Sequence, residues 1–295
     1  MTTETNFCLR VDVDTFEGLR YGIPKIVNLS KKLDFPVTIY VGLGKYATGR
    51  NIFRILKTRR KVKLNINGLK RNFVRSYTRG IILPPKTIGS KEKELLNSYN
   101  SEELIEFHPH GCNHVKWSSS FANFSFEKTE NWMDAINNEY KLIFNKKPIA
   151  NAAPNFQTNI HYFKILKKLG YAFSSDFYKM SPFILEIEEA RKDSKNNKIV
   201  QLTVTEPTIE EYLQQEKTLT QIRNEYEKSF KRYIEQEADY VCMYIHSAFE
   251  PIRLGDTLEE ICQLIYKLDM KPTTHTNFYK KIKELPTINY SELLK

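Results

Sequence analysis

The chain has 295 residues, 41% of them hydrophobic and 27% charged, which allows a sizeable core and is ordinary for a soluble protein. The formal net charge is +10, which points to an anionic partner such as phosphate, nucleic acid or an anionic membrane surface. The longest apolar run, Tyr240 to Ile245, is far short of the about 20 residues that a membrane-spanning helix needs.

In chain order, FCLRVDVD (Phe7 to Asp14) alternates apolar and polar residues and predicts a strand ending at two aspartates. Leu19 to Leu33 has helical spacing, and PVTIYVG (Pro36 to Gly42) is rich in β-formers. Strand, helix and strand at this spacing make a βαβ unit and a parallel sheet. Lys45 to Lys86 breaks the rhythm, with 13 Lys or Arg and no Asp or Glu. Phe53, Leu56, Phe73 and Tyr77 are threaded through it, the pattern of a basic amphipathic insertion.

Beyond it, Ser101 to Glu106 leads into a histidine-rich stretch, and a long helix is predicted near Ser125 to Phe144. A short strand at Ile149 to Ala153, a helix near Asn159 to Leu169 and a strand near Tyr171 follow. Then come a strand at Ile199 to Val204 and a long helix from Ile209 to Ile234. A buried strand at Tyr240 to His246, a helix near Leu258 to Leu268 and a last βα turn complete the chain. The expected organisation is one α/β domain, 1–295, with the basic insertion at 45–90.

The start, MTTETN, lacks the basic and apolar blocks of a secretory signal. The four cysteines, Cys8, Cys112, Cys242 and Cys262, show no CxxC pairing, so a reduced, cytoplasmic protein is expected. Cys8 and Cys242 fall in strands and are expected to be core packing.

Three strand ends carry groups suited to metal chemistry: Asp12 and Asp14, the stretch Glu106 to His114, and His246. Parallel α/β folds gather such groups at the carboxyl ends of their strands. His110 and His114 are four apart, so in a helical turn both imidazoles would face one side. With Asp14 they would form a three-ligand site with an open position. Two imidazoles and a carboxylate suit one divalent ion, zinc first, with manganese, cobalt or nickel as alternatives. On a regular strand Asp12 and Asp14 would share a face.

Five segments resemble, in order, the polysaccharide deacetylase (NodB-homology) superfamily of carbohydrate N-deacylases. They are LRVDVDTFEGLRYGIPKIV from Leu9, EFHPHGCNHVKW from Glu106, SSDFYKMSPFILE from Ser174, VTEPT from Val204 and YIHSAFE from Tyr244. Within that superfamily they are most similar to the undecaprenyl-phosphate 4-deoxy-4-formamido-L-arabinose deformylases. The resemblance implies an incomplete or distorted (β/α)7 barrel and a metal-dependent amidase for an amino sugar.

Carried over residue by residue, it makes Asp12 the catalytic base and Asp14, His110 and His114 the metal ligands. His246 becomes the acid for the leaving amine, and Asp176 the carboxylate that holds His246. Backbone N–H groups near Asn155 and Phe156 are expected to face the oxyanion. Gln157 stands where close relatives have an arginine that pairs with the catalytic aspartate; Gln157 can hydrogen-bond Asp12 but cannot neutralise it, and Arg10 is the cation that could substitute.

The implied substrate is a formyl or acetyl amide on a sugar linked to polyprenyl phosphate, in a pathway that modifies lipid A. The basic insertion, with Arg54, Arg59, Arg60, Lys61 and Lys63, is expected to meet the anionic inner-membrane surface and its phosphates. The expected location is the cytoplasmic face of that membrane. The rivals are a deacetylase of another N-acetyl sugar or polysaccharide, and a non-catalytic metal-, phosphate- or nucleic-acid-binding protein. No nucleic-acid motif supports the last.

Overall fold

The structure is a computed structural model that describes residues 4–46, 86–187, 197–282 and 284–294. Most of the basic insertion, including Arg54, Arg59, Arg60, Lys61 and Lys63, lies outside the described residues.

The strands are β1 (Asn6–Val13), β2 (Val37–Tyr46), β3 (Lys86–Ile88), β4 (Ile105–Cys112), β5 (Ala150–Asn151) and β6 (Phe173–Ser174). They continue with β7 (Phe183–Glu186), β8 (Lys198–Gln201), β9 (Tyr240–His246), β10 (Lys271–Pro272) and β11 (Thr287–Asn289). One sheet sets β9, β1, β2 and β4 side by side in parallel, with β10 parallel to β1 and β3 antiparallel to β2. In the other, β5, β6 and β8 run parallel, and β7 lies antiparallel to β8 with β11 beyond it.

Backbone contacts join the sheets. The Ala152 N–H donates to the Pro109 carbonyl at 3.1 Å, and Glu206 bridges Met243 in parallel sense. The architecture is the expected distorted α/β type, with parallel strands and helices between them divided over two sheets.

The period of two along each strand decides what faces the interior. Cys8, Arg10 and Asp12 on β1 sit in register with Cys242, Tyr244 and His246 on β9. Arg10 and Asp12 are in register with Thr38 and Tyr40 on β2, which in turn face Glu106 and His108 on β4. A buried polar net lies beneath the strand ends. Tyr40 Oη meets His275 Nδ1 at 2.8 Å, and the Thr38 hydroxyl donates to Glu106 at 2.7 Å. Burial holds His275 down to about 3, in its neutral form, and His108 and its hydrogen bonds outweigh burial to hold Glu106 near 2.

Helix ends follow the local chemistry. Ser125 caps Phe126–Phe144 by accepting the Lys128 N–H, and Asn159 caps Ile160–Leu169 by accepting the Tyr162 N–H. The single helix predicted from Ile209 to Ile234 is two, Ile209–Gln214 and Leu219–Glu235. Each starts with its own capping box, Thr208 with Glu211 and Thr218 with Gln221, and the second box restarts the helix after Glu216 turns left-handed. Cys8 and Cys242 are fully buried in the interior, as expected.

Candidate active site

Asp14 lies just past the end of β1, and His110 lies on β4. His114 opens the helix His114–Ser120. The two histidines therefore do not share a helical turn, contrary to the expectation from their spacing. Gly111 and Asn113, both left-handed, turn the chain between strand and helix and bring the rings to 5.9 Å between centroids. A Cβ on Gly111 would come within 2.6 Å of Pro154 and 2.9 Å of Trp117, so glycine is required there for space as well as for conformation.

His110 Nε2 stands 3.2 Å and His114 Nε2 3.5 Å from the same oxygen of Asp14, Oδ1. One donor atom from each of the three residues lies within 4.8 Å of the others. That oxygen is buried and, among the described residues, accepts no hydrogen bond of good geometry. The His114 ring is steadied by Ser118, whose hydroxyl lies 3.4 Å from Nδ1. Burial would raise the Asp14 carboxyl, but His114, His110 and His246 outweigh it and hold it well below the usual carboxylate range. Two imidazole nitrogens converging on one buried carboxylate oxygen fit a divalent cation of the nitrogen- and oxygen-seeking kind.

Asp12 is buried beside this trio, its Oδ2 3.7 Å from His110 Nε2. Arg10, two residues back on the same face, grips it with both arms of the guanidinium. Nε donates to Oδ1 at 2.7 Å and Nη2 to Oδ2 at 2.8 Å. Nη1 donates to the Ser175 carbonyl and hydroxyl at 2.6 and 3.0 Å. The rings of Tyr40, Phe156 and Tyr244 surround the guanidinium at 5.0, 5.3 and 5.9 Å. Asp12 thus has a cation from its own strand, Arg10.

His246 ends β9 directly opposite Asp12 in the register, with Nε2 4.0 Å from Asp14 Oδ2. Burial works against its charge, but Asp14, Glu250 and Glu210 together push it up to about 9.

Two expectations are corrected. Asp176 does not hold His246. Its Oδ1 accepts from the Ala153 N–H at 2.7 Å and the Tyr162 hydroxyl at 3.3 Å, while the His246 Nδ1 has no hydrogen-bond partner among the described residues. Strand parity explains this. Phe173 and Ser175 face the interior, against His108 and Arg10, so Ser174 and Asp176 alternate to the other side. The carboxylates beside His246 are instead Asp14, Glu210 and Glu250.

The second correction concerns one of the expected oxyanion donors, Phe156. The Phe156 N–H is spent within a tight turn on the Ala153 carbonyl at 3.1 Å, and the Gln157 N–H on Pro154 at 3.1 Å. Asn155 and Phe156 are both left-handed, a conformation that costs a Phe free energy and turns its ring toward Arg10 and Tyr244. Gln157 contributes its carbonyl, which accepts from Trp117 Nε1 at 2.9 Å.

Glu210 and Glu250 were not read from the sequence as site residues. The signal available for Glu210 was its place in the first turn after VTEPT, and for Glu250 its place at the end of YIHSAFE.

No family model matches the chain. A probable 4-deoxy-4-formamido-L-arabinose-phosphoundecaprenol deformylase from Shewanella sediminis is 25% identical over 215 residues, 70% of this chain. The match spans 65% of that relative's length. Among solved structures, a putative polysaccharide deacetylase from Mycobacterium smegmatis superposes with a TM-score of 0.65 at 11% identity, over 98% of this chain and 94% of that one. PuuE allantoinase superposes with a TM-score of 0.63 at 10% identity, over 95% and 90%. The chain has the polysaccharide deacetylase fold, and its sequence is similar to a formamido-arabinose deformylase, in line with its resemblance to the NodB-homology superfamily.

Proposed function

We propose that the chain is a metal-dependent carbohydrate N-deacylase that removes a formyl or acetyl group from the nitrogen of an amino sugar carried on undecaprenyl phosphate. The observation that carries this reading is the meeting of Asp14, His110 and His114 with an arginine-held Asp12 and His246 on the opposite strand. The similarity to the deformylase supports the substrate class.

Asp14, His110 and His114 would hold the ion, for which zinc is the proposed identity and manganese, cobalt or nickel the alternatives. Bound there, it supplies a Lewis acid for the acyl oxygen and a lowered pKa for a water. Asp12 takes the proton of the attacking water, and Arg10 fixes both carboxylate oxygens so that one lone pair is aimed. His246, across the site, gives a proton to the departing nitrogen as the C–N bond breaks. The products are formate or acetate and a free amine. Phe156, wedged between Arg10 and Tyr244, is the proposed wall beside the acyl group. Excluding or admitting one methyl there is worth about 1–3 kcal/mol.

Among the described residues no helix is long and apolar enough to cross a membrane. A lipid-linked substrate would then be reached from the surface, and the basic segment with Arg54, Arg59, Arg60, Lys61 and Lys63 is the proposed contact with anionic headgroups on the cytoplasmic face. The product amine would add positive charge to an envelope lipid and weaken its attraction for cationic peptides.

Mass spectrometry of polyprenyl-linked sugars from cells with and without the protein tests the reading. An N-acylated sugar phosphate lipid accumulating in its absence supports it, and an unchanged lipid profile overturns it. Accumulation of an N-acetylated soluble sugar or polymer instead would point to the rival deacetylase.

A further inference from the structure

Behind His246 stand two glutamates whose geometry is more specific than packing demands. Glu250 is completely buried, and its carboxylate joins two pieces of backbone. Oε2 accepts the N–H of His246 at 2.9 Å, and Oε1 accepts the N–H of Glu210 at 3.2 Å. The end of β9 and the first turn of the helix Ile209–Gln214 are thereby latched by one side chain. The same turn is fixed again through the neighbouring residue: Glu211 Oε1 accepts the Tyr244 hydroxyl at 2.7 Å, and Glu211 also closes the capping box with Thr208. Tyr244 lies two residues before His246 on the same strand face, and its ring packs edge-on against the imidazole at 5.6 Å. Held this way, Glu210 places Oε2 3.6 Å from His246 Nδ1.

A buried carboxylate is costly unless its oxygens are satisfied. Both oxygens of Glu250 face N–H donors, so a glutamine there would turn its own NH₂ against one of them. The arrangement therefore selects a carboxylate at 250. It leaves the Glu210 side chain facing the one ring nitrogen of His246 that points away from Asp14.

We propose that Glu210 and Glu250 form a positioning pair for His246. Glu250 locks the two backbones together, and the Glu210 carboxylate faces Nδ1 at 3.6 Å as its ion-pair partner, so that Nε2 is the nitrogen presented to the site. Neither glutamate touches the substrate. The value of the pair for turnover rests on the proposed role of His246 as proton donor. The fixing of the ring does not, because a carboxylate facing Nδ1 favours a proton there and one ring orientation whatever the substrate is.

The test uses the metal-loaded protein with histidine ¹⁵N-labelled in both ring and backbone, the His246 signals being assigned by their loss in His246→Ala. In Glu210→Ala the ring nitrogen signals of His246 should shift while those of His110 and His114, and the bound-metal content, stay as in the wild type. In Glu250→Gln the backbone amide signal of His246 should shift as well. Glu210→Ala, on a half-exposed side chain, keeps the test open if Glu250→Gln does not fold.

In turnover, Glu210→Ala should lower kcat by 10-fold or more with KM within two-fold, and Glu210→Asp should recover part of it. Unmoved His246 ring signals in folded Glu210→Ala would overturn the proposal. If the ring signals shift as expected while the wild-type protein deacylates no lipid-linked sugar, the positioning pair stands and the substrate reading falls.

Discussion

Arg10 and Asp12, two residues apart on one strand, are joined by two hydrogen bonds of 2.7 and 2.8 Å in a buried setting. The parity of β1 makes this pairing available without a contribution from any other segment. The carboxylate already has a cation on its own strand.

Arg10→Gln should leave Asp12 buried and uncompensated. Removing one partner of such a pair costs about 3–5 kcal/mol, so the variant should unfold at clearly lower denaturant, and turnover should fall by about 10² or more. Gln157→Arg should leave turnover within two-fold of wild type. Denaturant curves and steady-state kinetics check both, and a large gain in Gln157→Arg would show that Arg10 does not fill the role.

Metal binding is expected at one divalent ion per chain. His110→Ala together with His114→Ala should abolish it, since Asp14 would keep no imidazole partner in the trio. Chelation of the wild type should lower its Tm, because an ion that binds only the folded form stabilises it. Elemental analysis and thermal melts with and without chelator read this out; full metal content in the double variant would remove the site.

Gly111→Ala should damage the same site without touching a ligand. Gly111 is left-handed at φ +58° and an added Cβ would meet Pro154 and Trp117 inside 3.0 Å. Strain and overpacking together cost on the order of 2–4 kcal/mol, and the turn that brings His114 to His110 should open. The expected outcome is lower stability and at least ten-fold weaker metal binding by titration.

Asp176 should act on stability rather than on His246. Burial pushes its carboxyl from the ordinary 3.8 up to about 6. Between those values the folded chain keeps a proton that the unfolded chain has released, so this group's contribution to stability falls as pH rises through the window. Its full cost above pH 6 is about 3 kcal/mol. Asp176→Asn can still accept from Ala153 and Tyr162, so it should stabilise at pH 8 by about 1–3 kcal/mol and give little at pH 3.5. Equal effects at both values in urea unfolding would contradict the assignment.

Much of the fold was legible because strand ends and caps are written locally. Tyr240–His246 appears as read, and Asn159 and Ser125 cap the helices where their side chains permit. The metal trio was legible from the chemistry of Asp14, His110 and His114, although the link between the histidines was not. Spacing of four suggested a helical turn, whereas the left-handed Gly111 and Asn113 make a strand-to-helix turn. Asp176 was misassigned because a motif position does not reveal strand parity. Glu210 stayed hidden because its contacts with His246 and Glu250 cross 36 and 40 residues of sequence and exist only after the sheet is assembled; Glu250 is four residues from His246, but its bond to that backbone depends on the turn that follows the strand.

The central claim is tested most directly with purified, metal-loaded protein and matched formyl and acetyl amides on the same undecaprenyl-phosphate amino sugar, measuring release of formate or acetate. The account predicts release of at least one acid with appearance of the free amine, and a loss of about 10² or more in Asp12→Asn with metal content retained. No release from either substrate by the metal-loaded protein, or undiminished release by Asp12→Asn, would contradict it.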